Sequence, residues 1–258
     1  MTAALEVRSV SRHFGALKAV DDVSFGVRSG SRHAVIGPNG AGKSTLFALI
    51  AGTRAATRGR VLLQGRDITD VAEHRRVALG VVRTFQHSSL FLGCTVLENV
   101  LLAAQRRHGA SWSTLRPLRR HRELQRTAHA LLERVGLTDR HTSVAGSLSH
   151  GERRQLEIAV ALGCEPQILL LDEPAAGLSP AETERFTRLV TELPADVTVL
   201  LVEHDLDVVF GLADTVTVLH LGRHLLTGTP AEARASADVQ AAYLGAVDST
   251  ELFPGGGP

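Results

Sequence analysis

Gly37-Pro38-Asn39-Gly40-Ala41-Gly42-Lys43-Ser44 is the stretch on which the reading of this chain turns. It fits the pattern GxxxxGK[ST] without a mismatch. It follows a short apolar run, Ala34-Val35-Ile36, and continues through Thr45 into a helical stretch over about 42–51, where Gly52 stands in the position of a helix C-cap. A strand before and a helix after are the setting in which this pattern has a mechanism. The glycines let the backbone fold back so that consecutive N–H groups aim at one anion, and the helix N-terminus adds its dipole. Lys43 brings a cation to β- and γ-phosphates, and Ser44 a hydroxyl to Mg²⁺. A plain Gly-rich turn would account for the glycines but not for Lys43-Ser44.

On the N-terminal side, Leu5, Val7 and Val10 and then Val20, Val23, Phe25 and Val27 alternate with polar residues. Gly15 and Ser29-Gly30 punctuate them, so these stretches read as antiparallel strands joined by turns. On the C-terminal side, 60–63 reads as a further strand with a turn at Gln64-Gly65. The stretch from about 87 to 161 is helical in pattern, most clearly at Val96–Arg107 and 118–135. From Gln167 onward strand and helix alternate again, with a late strand near 216–221 and a single closing helix over 231–243. Buried strands alternating with helices argue for an α/β fold whose mainly parallel sheet is covered by helices.

Ile168-Leu169-Leu170-Leu171-Asp172-Glu173 ends a buried strand in two carboxylates. Ligands of open α/β sheets bind at such strand ends. Asp172 is placed to hold Mg²⁺, directly or through its water, and Glu173 to orient or deprotonate an attacking water. Leu148-Ser149-His150-Gly151-Glu152 opens another helix. Ser149 and Glu152 form a capping box there, while Ser149 and Gly151 also expose N–H groups to an anion. Gly163 is read as the C-cap of that helix, with Pro166 beyond it.

The rest of the chain narrows the class. Its 258 residues are 44% apolar with a net charge of +1, so nothing global steers it to nucleic acid. Only Lys18 and Lys43 are lysines; all other basic side chains are arginine. Cys94 and Cys164 lie far apart and in no metal spacing, which reads as two free thiols in a reducing cytosol. No apolar run approaches the roughly 20 residues of a membrane helix, and no secretory signal opens the chain. The run Arg106, Arg107, Arg116, Arg119, Arg120, Arg122 and Arg126 reads as a solvated helical face, with a membrane partner or anionic headgroups as the alternative. The last residues, 246–258, read as a flexible tail.

Taken in order, these motifs resemble the ATP-binding subunit of ABC transporters over about 5–245. Residues 37–44 match the family's phosphate loop, and 168–173 its acidic strand end and catalytic glutamate. Leu148-Ser149-His150-Gly151-Glu152 is similar to its LSGGQ signature, with His150 and Glu152 as departures. The resemblance implies ATP and Mg²⁺ as cofactors, with Gly37, Pro38, Asn39, Gly40, Ala41, Gly42, Lys43, Ser44 and Thr45 on the phosphates. It gives Ser149 and Gly151 to the phosphate of a partner-bound nucleotide. Gln86, in Arg83-Thr84-Phe85-Gln86, resembles the glutamine that reaches metal and water, so Ser44, Gln86 and Asp172 form the implied metal set. His204, in Val202-Glu203-His204-Asp205, resembles the histidine that bonds the γ-phosphate. Phe14 takes the position of the aromatic ring stacked on adenine. Gly177-Leu178-Ser179-Pro180 resembles the loop that crosses the dimer, with Pro180 where an acid is usual.

The fold implied is a P-loop NTPase core with a mixed, mainly parallel sheet, an N-terminal antiparallel β subdomain and a helical subdomain inserted at about 87–161. Residues 1–245 would form a single ATP-binding domain. Such a subunit acts as a head-to-tail dimer beneath transmembrane subunits, on the cytoplasmic face of the membrane, and indirectly with a solute-binding protein. Arg83-Thr84-Phe85-Gln86, Thr95-Val96-Leu97-Glu98-Asn99-Val100, Ala175-Ala176-Gly177-Leu178-Ser179-Pro180 and Ala242-Tyr243-Leu244-Gly245 resemble the importers of branched-chain amino acids and their urea and amide relatives. Lipopolysaccharide-export ATPases share much of the pattern, but Phe85 and Leu97-Glu98-Asn99-Val100 tilt the reading away from them. Members acting on DNA or ribosomes carry a long coiled coil or a second such domain, for which this chain has no room. A non-hydrolysing ATP-gated scaffold would be expected to lose Glu173 or His204, and both are present.

Overall fold

A strand buried on both faces has to be apolar, and residues 168–171 and 199–202 meet that demand. The structure, a computed structural model, describes residues 3–84, 90–107 and 122–244. Its strands are β1 (Ala3–Phe14), β2 (Leu17–Arg28), β3 (Arg32–Ile36), β4 (Arg58–Leu63), β5 (Arg66–Asp67), β6 (Val81–Arg83), β7 (Ile168–Asp172), β8 (Thr198–Val202), β9 (Thr215–His220) and β10 (Arg223–Gly228). They form two sheets. One is antiparallel, in the order β2-β1-β4-β5. The other has the order β10-β9-β3-β8-β7-β6 and is parallel except for β10 at its edge. The mixed, mainly parallel sheet and the separate N-terminal antiparallel sheet both match the sequence reading.

The period of two decides which core each strand residue enters. Ile168 and Leu170 of β7 join Leu200 and Val202 of β8 on one face, against helix α1 (Lys43–Ala51) and the antiparallel sheet. Leu169, Leu171, Val199 and Leu201 face the other way. There they meet helices α5 (His150–Gly163), α6 (Pro180–Thr191) and α7 (Leu206–Leu212). Helix α1 is thus wedged between the two sheets. Its C-terminal end is held by Arg76 of α2 (Glu73–Ala78), which is fully buried. The Arg76 guanidinium donates to the carbonyls of Leu49, Ile50, Thr69 and Val71 at 2.6–2.8 Å. Gly52, at φ 81°, leaves room for it: a Cβ there would lie 2.6 Å from Arg76 Nε.

Helices α3 (Val96–Arg107) and α4 (Arg122–Arg134) pack with α5 between β6 and β7 in the sequence. Residues 118–121 of the expected helix, Arg116, Arg119 and Arg120 of the basic run, and residues 245–258 lie outside the described residues, as do the side chains of Arg106 and Arg107. Two expectations need correction. Gly163 is no C-cap but the last residue of α5, where it lets α5 cross α3. A Cβ at 163 would sit 3.2 Å from that of Ala103; the C-cap is Cys164, and the left-handed residue is Glu165 (φ 49°). The closing helix is two: α8 (Pro230–Ala235), capped by Thr229 and Glu232, and α9 (Ala237–Leu244), with extended Ser236 between them.

His33 of β3 stacks on Phe25, ring centroids 5.4 Å apart, and its Nε2 lies 2.8 Å from Thr217 Oγ1. Burial, with a smaller effect of the Arg28 charge, lowers its pKa from an ordinary 6.5 to about 4. Between those values the unfolded chain takes up a proton that the folded chain refuses. Stability should therefore fall as pH falls through this window and level off below it. In His33→Gln the loss of melting temperature between about pH 7.5 and about pH 5 should shrink, whatever the variant's absolute stability. An equal loss in both proteins would remove His33 as the source.

Candidate functional site

The parallel register brings four strand ends to one edge. Val35 of β3 pairs with Val202 of β8, Val202 with Asp172 of β7, and Leu170 of β7 with Arg83 of β6. The phosphate loop leaves β3 there, His204 leaves β8, and Asp172 and Glu173 end β7.

The loop is shaped by glycines in conformations other residues avoid. Gly40 and Gly42 have φ of 80° and 99°. A Cβ on Gly42 would lie 2.3 Å from the Ala19 carbonyl oxygen. Lys43, on the first turn of α1, folds back over the loop and donates to the carbonyls of Gly37 (2.5 Å) and Pro38 (3.0 Å). Burial holds the Lys43 ammonium below its usual pKa, while the Glu173 carboxylate pulls the other way. Ser44 is exposed and Thr45 half-buried beside it. The cleft over the loop is lined by Asn39 to Thr45, by Leu17, Lys18 and Ala19 of β2, and by Glu173 and Leu221. Phe14 is not among its lining residues. It stands at the end of β1, 39% exposed, with the guanidinium carbons of Arg12 and Arg54 at 4.7 and 5.5 Å from its ring centre.

Asp172 is 1% exposed. Its Oδ2 accepts from Arg83 Nη2 at 2.5 Å, and its Oδ1 is buried with no hydrogen-bond partner among the described residues. A buried carboxylate oxygen left unpaired is costly unless something else fills its lone pairs. That orphan oxygen and the exposed Ser44 hydroxyl are of the kind a divalent cation takes. Among the described residues no three His, Cys, Asp or Glu side chains gather as a metal cage. Mg²⁺ suits such a site, because it commonly takes one or two protein oxygens and completes its shell with phosphates and water.

Glu173 lies in the left-handed region at φ 45°. Its N–H donates to Val202 O at 2.9 Å, and Arg154 Nη2 donates to its carbonyl at 3.0 Å. His204, its side chain 60% exposed, follows Glu203, which is fully buried. Burial raises the Glu203 pKa, against the pull of backbone N–H groups from Ala175, His204 and Asp205. Gln86 lies outside the described residues.

Ser149 is the N-cap of α5. Its Oγ accepts from Glu152 N (3.2 Å), and its own N–H donates to Glu152 Oε2 (2.8 Å), the expected capping box. Ser149 and Gly151 line a second cleft with Glu182 and Arg185, and no residue is shared between it and the cleft over the phosphate loop. The structure thus brings 39–45 and Glu173 to one cleft, sets Asp172 at the end of the strand that carries Glu173, and keeps Ser149 and Gly151 apart from that cleft. His150 Nε2 lies 3.3 Å from the Ala176 carbonyl oxygen, tying the start of α5 to the loop before α6. Sequence reasoning missed Arg83 as the partner of Asp172 and Glu203 as a buried acceptor. The first joins two strands and the second the segments that follow two strands, each pair distant in sequence, and only the register would have revealed them.

The family described as ABC transporter matches residues 20–176. The chain is 41% identical over 249 residues to the high-affinity branched-chain amino acid transport ATP-binding protein BraF of Pseudomonas aeruginosa, covering 93% of this chain and 97% of that protein. It is 39% identical over 248 residues to LivG of Escherichia coli, a protein of the same description, with the same coverage. Among solved structures it resembles the ADP conformation of MJ1267, an ATP-binding cassette of an ABC transporter. The TM-score is 0.84 at 32% identity, over 95% of this chain and all of that one.

Lys43→Ala removes the cation that folds over the loop and leaves the backbone cradle intact. ATP affinity should fall by about tenfold to a hundredfold, the worth of a charged hydrogen bond, with little change in melting temperature. Titration calorimetry with ATP checks this, and an unchanged affinity would contradict the phosphate-loop assignment.

Proposed function

The chain belongs to the ABC transporter family of ATP-binding proteins, and from that premise we propose that it hydrolyses ATP to drive the import of branched-chain amino acids or related small polar solutes. The observation that carries the proposal is the gathering of the phosphate loop, Asp172, Glu173 and His204 on one sheet edge. It occurs in a chain 39–41% identical, over nearly its whole length, to subunits described as branched-chain amino acid transport proteins.

In this reading the backbone N–H groups of 37–45 and the Lys43 ammonium hold the phosphates. Phe14 offers its ring to adenine. Ser44 and Asp172, with Gln86, hold Mg²⁺, which neutralises phosphate charge when bound. Glu173 orients the attacking water and takes its proton, and His204 bonds the γ-phosphate. The separation of Ser149 and Gly151 from the loop supports a head-to-tail dimer, in which they close on the nucleotide of a second ATPase subunit, identical or related. ATP then favours the closed pair, and hydrolysis with release of products reopens it. Residues 1–245 serve as one ATP-binding domain, and its helical part, about 87–161, carries the motion to transmembrane subunits. No helix among the described residues is long and apolar enough to cross a membrane. The chain is placed at the cytoplasmic face by its transmembrane partners, and a solute-binding protein delivers the cargo to them.

Glu173→Gln keeps the shape of the side chain and loses the base. Turnover should drop by at least about a hundredfold while MgATP still binds, and light scattering after size-exclusion chromatography should show the mass double with MgATP. Parental turnover in this variant would take Glu173 out of the catalytic role. A monomer with ATP bound would mean that closure requires a different ATPase partner or the membrane subunits.

A further inference from the structure

Glu203, like Asp172, is a fully buried acid, but nothing in the reaction outlined above uses it. Its carboxylate sits where β7 and β8 diverge. The ladder between β7 and β8 makes its last bond at Glu173 N to Val202 O, 2.9 Å. Beyond that the two chains part, and Pro174 has no N–H to offer. Three backbone donors are left at the fork. Glu203 Oε1 accepts from Ala175 N at 2.7 Å, and Oε2 accepts from His204 N at 3.2 Å. The Asp205 N–H adds a weaker pull on this carboxylate. His204 Nδ1 lies 3.7 Å from the same Oε2.

One side chain therefore continues the sheet where its backbone no longer can. It ties the segment carrying Glu173 to the segment carrying His204. Glu173 needs the tie, because a non-glycine residue at φ 45° persists only where its surroundings over-determine it. Val202 O fixes its N–H, Arg154 fixes its carbonyl, and the Glu203–Ala175 bond fixes the backbone two residues on.

We propose that Glu203 is a positioning residue that clamps the loops after β7 and β8 together, setting Glu173 and His204 in one geometry. The proposal rests on the ATPase reading for the roles of those two residues. None of the hydrogen bonds of Glu203 reaches the phosphate loop, so the clamp should act on turnover and not on nucleotide binding.

Glu203→Gln keeps the volume but turns one of the two acceptor oxygens into a donor, leaving an N–H on one loop without an acceptor. Turnover should fall by about tenfold or more, as for a removed second-layer contact, with ATP affinity within about threefold of the parent. Glu203→Asp draws the carboxylate back by one methylene. It should keep the neighbouring His204 N–H and lose Ala175, giving a smaller loss of turnover. Parental turnover in Glu203→Gln overturns the proposal. So does a parallel fall of turnover, ATP affinity and melting temperature, which marks general damage. Hydrogen exchange on the unaltered chain decides the matter if the variants do not fold: the Ala175 amide should be protected as strongly as the amides of β7, and free exchange there overturns the clamp. An unaltered chain that neither binds nor hydrolyses ATP would sink the ATPase reading instead, while the exchange result would still stand for or against the clamp.

Discussion

The parallel pairing of β3, β8, β7 and β6 is the constraint on which everything else rests. Hydrogen bonding in register leaves no freedom in where the strands end relative to one another. Val35, Val202 and Asp172 are locked side by side, with Arg83 at the flank of Leu170. Each strand is apolar on both faces because a core lies on each. The phosphate loop, Asp172 with Glu173, and His204 therefore gather at the same edge. The chemistry is laid out by the point at which hydrophobic runs stop, and a slip of one residue in β7 would send Asp172 to the opposite face.

Strain concentrates at that edge. Glu173 takes a left-handed backbone without being glycine, Asp172 keeps an oxygen unpaired among the described residues, and Lys43 is folded onto carbonyls that offer it only partial charge. Each is unfavourable alone and tolerable in a rigid surround. Arg83 offsets the burial of Asp172, and Arg154 with Val202 holds the backbone of Glu173.

What the sequence made legible is what is local in it. The phosphate loop is eight consecutive residues whose backbone demands only glycine can meet. The capping box of α5 needs only Ser149 and Glu152. Strand identities followed from apolar runs at β3, β7 and β8. Contacts that depend on register were not legible: Arg83 and Asp172 are 89 residues apart, and Glu203 meets Ala175 across 28. Gly163 was misread because a glycine at a helix end has two uses, a left-handed cap or a close crossing, and only the neighbour on α3 tells them apart. The split of the closing helix was signalled by Ser236, whose side chain takes up the amide of Val239, but a single serine is a weak break against an otherwise helical pattern.

Arg76 has a consequence for how α1 responds to its medium. A helix carries partial positive charge at its start and negative charge at its end. At the end of α1 the negative charge is met by a guanidinium sealed from solvent, beyond the reach of counterions. At the start, the loop opens to water. Added salt can therefore screen only one pole of this helix. The far pole is fixed in the interior and contributes the same at any ionic strength, so a salt dependence of anion capture at this helix reports on the open end alone.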